Sequence, residues 1–157
     1  MNIAIIVPFA NVFYSGGVTV QGRMWKEGLE KIGNKVDLVD NWGQFDWNSY
    51  DYIILLGNGK LLLDYMELLK GFEHPQFVSA PIIDYHKSFW SFILRARFFG
   101  SVRMKINKPF HDLYFCRNMF DLFLVRSDYE GRFIEEGFGV PQEKIFKLPL
   151  NFRPPVK

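Results

Sequence analysis

The chain is 157 residues long, the size of one domain, and with 48% hydrophobic and 23% charged residues it can bury a real core. A formal net charge of +2 is too small to argue for nucleic acid, and one cysteine, Cys116, rules out an internal disulfide framework and fits a reducing compartment. The amino terminus lacks the basic region and small-residue cleavage site of a signal peptide, and its apolar run is far shorter than the ~20 residues of a membrane span. The expectation is a cytoplasmic protein, peripheral to a membrane at most.

In chain order, Ile3–Val7 is a bare apolar run closed by Pro8, the pattern of a parallel strand buried on both faces. Ser15-Gly16-Gly17 makes a small-residue turn, and helical spacing then carries Val18, Met24, Trp25 and Leu29 to an αL stop at Gly33-Asn34. Lys35–Asp40 alternates as a second strand, and Tyr52–Leu56 is a third, ended by Gly57-Asn58-Gly59. Between them, Trp42, Phe45 and Trp47 either line a cleft or cover the sheet edge.

A helix over Leu61–Leu69 is followed by a strand over Gln76–Ile83, which Pro81 demotes to an edge or ends early. His86 lies just beyond it. Lys87–Phe99 has a helical pattern, apolar almost all round apart from Arg95 and Arg97; a basic connector spans Ser101–Pro109, and His111–Met119 is a short helix. Phe120–Val125 is a fifth strand. Ser127, with Glu130 three positions on, forms a capping box that opens the next helix, and Lys144–Leu148 is a sixth strand. Alternating strands and helices predict an α/β fold, a Rossmann-like, doubly wound parallel sheet with helices on both faces. Residues 1–150 form this domain, and the Pro-rich segment 151–157 reads as the start of a linker.

Physical chemistry singles out few residues. Gly16 and Gly17 lack a Cβ, so the backbone there can approach a phosphate or sugar closely; the same pair also makes a tight turn. SGGVTVQG is not the G-x-G-x-x-G dinucleotide fingerprint, so a nicotinamide dehydrogenase falls behind. His86 is a satisfied imidazole or, from its place after a parallel strand, a hydrogen-bonding partner of a ligand. No metal is expected, because His74 and His111 share no ligand spacing with it. No G-x-S-x-G elbow is present, which leaves a hydrolase triad unsupported.

The stretch Phe89–Phe110 interleaves Trp90 and several phenylalanines with Arg95, Arg97, Arg103, Lys105 and Lys108 and has no acidic residue. It reads as a solvated basic face on a core helix, or as an interfacial surface that would meet anionic lipid or a lipid-linked acceptor. Single-stranded nucleic acid is a distant third.

Four segments in order resemble the amino-terminal domain of GT-B glycosyltransferases, most closely the retaining, GT4-like group. They are MNIAIIVPF with SGGVTVQGRMWKEGLEKIGNKVDLVD, PIIDYHKSF, FDLFLVRSDYEGRFIEEGFGV, and KIFKLPLNF. The resemblance implies an enzyme of two Rossmann-like halves that moves a sugar from a nucleotide-sugar to a glycan or lipid-linked acceptor. This chain would be the acceptor-binding half, inactive without the donor-binding domain and needing no cofactor. Gly16 and Gly17 match the family's glycine loop, and His86 its catalytic histidine near the donor sugar. Asn151-Phe152 departs from the usual asparagine-glycine at the hinge. A non-catalytic Rossmann-like nucleotide- or protein-binding module is the alternative.

Overall fold

A computed structural model describes residues 1–7, 17–39, 44–57, 60–83, 89–101 and 108–148. Six strands form one all-parallel sheet: β1 (Asn2–Ile6), β2 (Lys35–Val39), β3 (Tyr52–Leu56), β4 (Gln76–Ala80), β5 (Leu122–Val125) and β6 (Ile145–Lys147), in the spatial order β2-β1-β3-β4-β5-β6. The helices are α1 (Gly17–Lys31), α2 (Lys60–Leu69), α3 (Phe89–Ser101), α4 (Lys108–Cys116) and α5 (Asp128–Arg132), the last running directly into a π-helical turn, Phe133–Gly137. The expected α/β class and parallel sheet are therefore present.

Side chains alternate across the strands, and the two sets make two cores. Ala4, Ile6, Ile53, Leu55, Phe123 and Val125 face α2 to α5 and pack with Met66, Ala96, Leu113 and Phe133. Ile3, Ile5, Ile54, Leu56, Val78 and Ala80 point the other way, toward Trp25 and Leu29 of α1. Right-handed crossovers account for this division: the chain moves one way from β1 to β2 and the other way from β3 onward, so the connecting helices fall on opposite faces.

α1 ends in a Schellman motif. Gly33 takes φ +89°, its N–H donates to the Glu30 carbonyl at 3.0 Å, and the Asn34 N–H reaches the Leu29 carbonyl at 3.2 Å. β4 lies inside the sheet and stops at Ala80, so Pro81 terminates the strand without pushing it to the edge. Phe45 and Trp47 are half-buried against the core, with ring centroids 5.5 Å apart, and act as cover; Trp42 lies outside the described residues.

The amino edge of the sheet is closed by carboxylates. Asp51 accepts from the Asn2 N–H at 2.7 Å and Asp121 from the Phe77 N–H at 2.8 Å, so strand-end donors are satisfied internally there. Cys116, fully buried, is bonded to the Asp112 carbonyl at 3.0 Å, and burial pushes its thiol up to about 12, the state of an inert core residue.

Tyr50 ties the 44–51 segment to β2. Its hydroxyl donates to Asp37 Oδ2 at 3.0 Å, and burial, reinforced by that bond and by the Asp37 charge, pushes the phenol from 10.0 up to about 12. The folded state thus favours the neutral phenol, and its contribution is intact below about pH 10 and lost as pH rises toward about 12. Denaturant melts across that range should show an alkaline decline in stability that Tyr50→Phe flattens. An equal decline in the variant would assign it to other groups.

Candidate functional site

The order β2-β1-β3 places a reversal of chain direction between β1 and β3. In open parallel sheets such a reversal leaves a crevice beyond the carboxyl ends of the strands, because the flanking connections leave on opposite faces. Val7 and Gly57 stand at these two strand ends, and α1 begins above them.

α1 is brought close by Gly22. A Cβ at that position would sit 3.0 Å from Val7 Cγ1, 3.4 Å from Leu38 Cδ1 and 3.6 Å from Leu56 Cδ2, so glycine lets the helix backbone rest on the ends of β1, β2 and β3. Gly17 lies five residues earlier (22 − 17), and a rise of ~1.5 Å per residue carries it roughly 7 Å further along the helix, over the carboxyl edge. There the first-turn N–H groups have no intrahelical acceptor and present a partial positive charge. Gly57 is buried and takes φ +108°, a conformation that favours glycine, with its N–H donating to the Ala80 carbonyl at 2.9 Å.

Gly17 differs from both. It is exposed, has no positive φ, and a Cβ there would meet nothing within 4 Å. Among the described residues the fold gives no reason for a glycine at that place.

On the other side of the reversal, Glu130 organises the segment after β4. It is 0% exposed, and its carboxylate accepts from the Ile83 N–H at 3.1 Å, the Arg126 N–H at 2.7 Å and Arg126 Nη2 at 2.7 Å. It thereby joins the chain leaving β4 to the chain leaving β5. Ser127 is the N-cap of α5, accepting from the Glu130 N–H at 3.2 Å, as its spacing predicts. The Glu130 side chain also turns inward to Ile83 and Arg126. Sequence reading treated Glu130 as a cap only; Arg126 four residues earlier was the available sign of an ion pair.

At the start of α3, Phe89 packs into an aromatic group with Phe133 at 4.8 Å and Tyr129 at 5.6 Å between centroids, while the Arg132 guanidinium sits 4.6 Å above its ring. Gly16, His86, Arg103, Lys105 and the 151–157 segment lie outside the described residues, as does the Arg95 side chain. Of the residues singled out from sequence, Gly17 is at the carboxyl edge, Trp90 is exposed on α3, and Arg97 donates from Nε to the Glu136 carbonyl at 2.8 Å. Among the described residues no three His, Cys, Asp or Glu side chains converge as a metal site.

A small crevice between α5 and β6, about 220 Å³, is lined by Asp128, Arg132, Glu135 and Lys147, with Lys147 and Asp128 paired at 2.6 Å. Arg132 is paired with Glu136 at 3.1 Å, and the crevice lies apart from the β1–β3 reversal. The chain matches no protein-family model, no curated protein and no solved structure.

Proposed function

We propose that this chain is the Rossmann-like, acceptor-binding half of a GT-B glycosyltransferase, which moves a sugar from a nucleotide-sugar donor to a glycan or lipid-linked acceptor. The observation that carries the reading is the place of Gly17, a glycine at the N-terminus of α1 over the carboxyl edge; among the described residues nothing lies within 4 Å of a Cβ there, as is also true of Gly28 further along the helix, so it is the place that points to a ligand. A ligand can approach the backbone closely there. The resemblance segments also fall on coherent units of the sheet: β1–α1–β2, the exit of β4, β5–α5, and β6.

In this reading the first-turn N–H groups of α1 face a phosphate oxygen or sugar hydroxyl, and Gly16 and Gly17 keep side chains out of the way. His86 follows Ile83 by three residues, and Glu130 holds the start of that segment at Ile83. A neutral imidazole there hydrogen-bonds the sugar being transferred. The leaving diphosphate is held by helix N-termini and basic groups of a second, donor-binding domain, so the chemistry calls for no metal.

The test is a transfer assay on the gene product together with its donor-binding domain. His86→Ala should lower turnover about a hundredfold, the usual loss when one donor to a developing charge is removed, while the melting temperature holds. Gly17→Ala should leave folding intact or slightly improved, since alanine is the better helix former by up to ~1 kcal/mol, and yet weaken substrate binding. Normal transfer by both variants would end the assignment. Nucleotide binding without any transfer would leave the non-catalytic module standing instead.

A further inference from the structure

α1 carries two buried polar side chains, Thr19 and Gln21. Gln21 is 6% exposed, and among the described residues its carboxamide makes no hydrogen bond. Its place follows from the helix. Gly22 faces the strand ends, and Lys26 donates to the Val36 carbonyl on β2. At ~100° per residue, Gln21 is turned roughly 140° away from Lys26, onto the flank above β3 and the β1–β3 reversal. No described helix meets that flank, since α2 to α5 pack on the other face of the sheet. Helical side chains lean toward the N-terminus, so the carboxamide is directed at the first turn of α1. Its neighbour one turn earlier on this flank is Gly17, which has no side chain to cover it.

A buried amide without a partner has given up water and gained no bond in return, so its presence calls for a reason. We infer that Gln21 is a specificity-determining residue of the crevice: its carboxamide pairs with a hydroxyl of the carbohydrate bound over the first turn of α1. Chemistry selects the hydroxyl. The first-turn N–H groups only donate, which suits a phosphoryl oxygen. A carboxamide donates through Nε2 and accepts through Oε1, so both of its halves are used only by a group that itself accepts and donates. A sugar hydroxyl does both, whereas a phosphoryl oxygen only accepts. The inference rests on the reading of this edge as the sugar-binding side of a glycosyltransferase half, and it adds which group of the ligand is read. A ligand lacking that hydroxyl leaves the amide buried and unpaired, which is how a polar site rejects a near-analogue.

The test titrates the whole chain with glycosyl phosphates of gluco, galacto and manno configuration and, separately, with inorganic phosphate, followed by proton–nitrogen NMR. Inorganic phosphate should shift the backbone amides of Val18 and Thr19 alone. A glycosyl phosphate should also shift the Gln21 side-chain amide, identified by its absence from the spectrum of Gln21→Met. That variant keeps the length of the side chain and removes its polar atoms, so its melting temperature should hold or rise. Its affinity for the glycosyl phosphate should fall about tenfold, the size of one hydrogen bond, while its affinity for inorganic phosphate stays as in wild type. Unchanged glycosyl-phosphate binding, an equal loss for both probes, or a lowered melting temperature would each overturn the inference, the last by giving Gln21 a partner within the fold. If Gln21→Met binds normally while Gly17→Ala does not, the carboxyl edge remains the site and Gln21 leaves it. Binding of none of the probes by wild type would overturn the role of Gln21, and the transfer assay with the donor-binding domain would still decide the wider reading.

Discussion

Glu130→Ala should destabilise the fold by ~3–5 kcal/mol, the cost of breaking a buried charge pair by removing one partner. The carboxylate is wholly buried, whereas the Arg126 side chain keeps 24% of its surface in water, so part of the stranded cation can be rehydrated and the loss should fall near the lower end. Two backbone donors, the N–H groups of Ile83 and Arg126, would also lose their acceptor. Urea unfolding measures the loss directly. Glu130→Gln separates the roles: it preserves shape and one acceptor oxygen, so it should recover part of the stability. If the reading of the carboxyl edge holds, it should still loosen the exit of β4, seen as faster hydrogen exchange at Ile83. A loss below ~1 kcal/mol for the alanine variant would mean that Glu130 fixes neither strand exit.

That position also marks where sequence reading stops. The residues that announce themselves are those whose neighbours in sequence are their partners. Ser127 and the N–H of Glu130 are three apart, and the cap is where the spacing puts it. Gly33-Asn34 closes α1 on carbonyls three and five residues back. Tyr52–Leu56 is a strand with the bounds its apolar run suggests, because a central parallel strand is buried on both faces and needs no alternation. Glu130 and Ile83, by contrast, are 47 residues apart, and only the β4–β5 pairing brings them together. Local pattern started α4 at His111, after a connector running to Pro109; proline is tolerated in a first turn, where its missing N–H has no acceptor to lose, and the helix begins at Lys108. For α3 the pattern gave the helix and the apolar surround, but not which side the core would take; that depends on the sheet beneath.

The second large effect is expected at Gly22, where the site depends on a close helix–sheet approach. Gly22→Leu should cost about 3 kcal/mol, toward the upper part of the range for forcing extra methylenes into a filled core. The first added carbon already falls 3.0 Å from Val7 Cγ1, and the rest of the side chain would have to enter space held by Leu38 and Leu56. Gly22→Ala is the informative companion. It gains up to ~1 kcal/mol of helix propensity and loses a comparable amount if Val7 must yield, so its net effect should be small while that of leucine is large. Thermal unfolding of both variants against wild type decides this. The consequence for the carboxyl edge follows from rigidity: α1 cannot tilt away from Val7 and Leu56 without carrying its own N-terminus with it. On the proposed reading, a leucine variant that folds should therefore weaken substrate binding at Gly17, although Gly22 faces the sheet from the underside of α1. Equal stability of leucine and glycine at position 22 would mean that α1 does not rest on the strand ends, and the crevice would have a different floor.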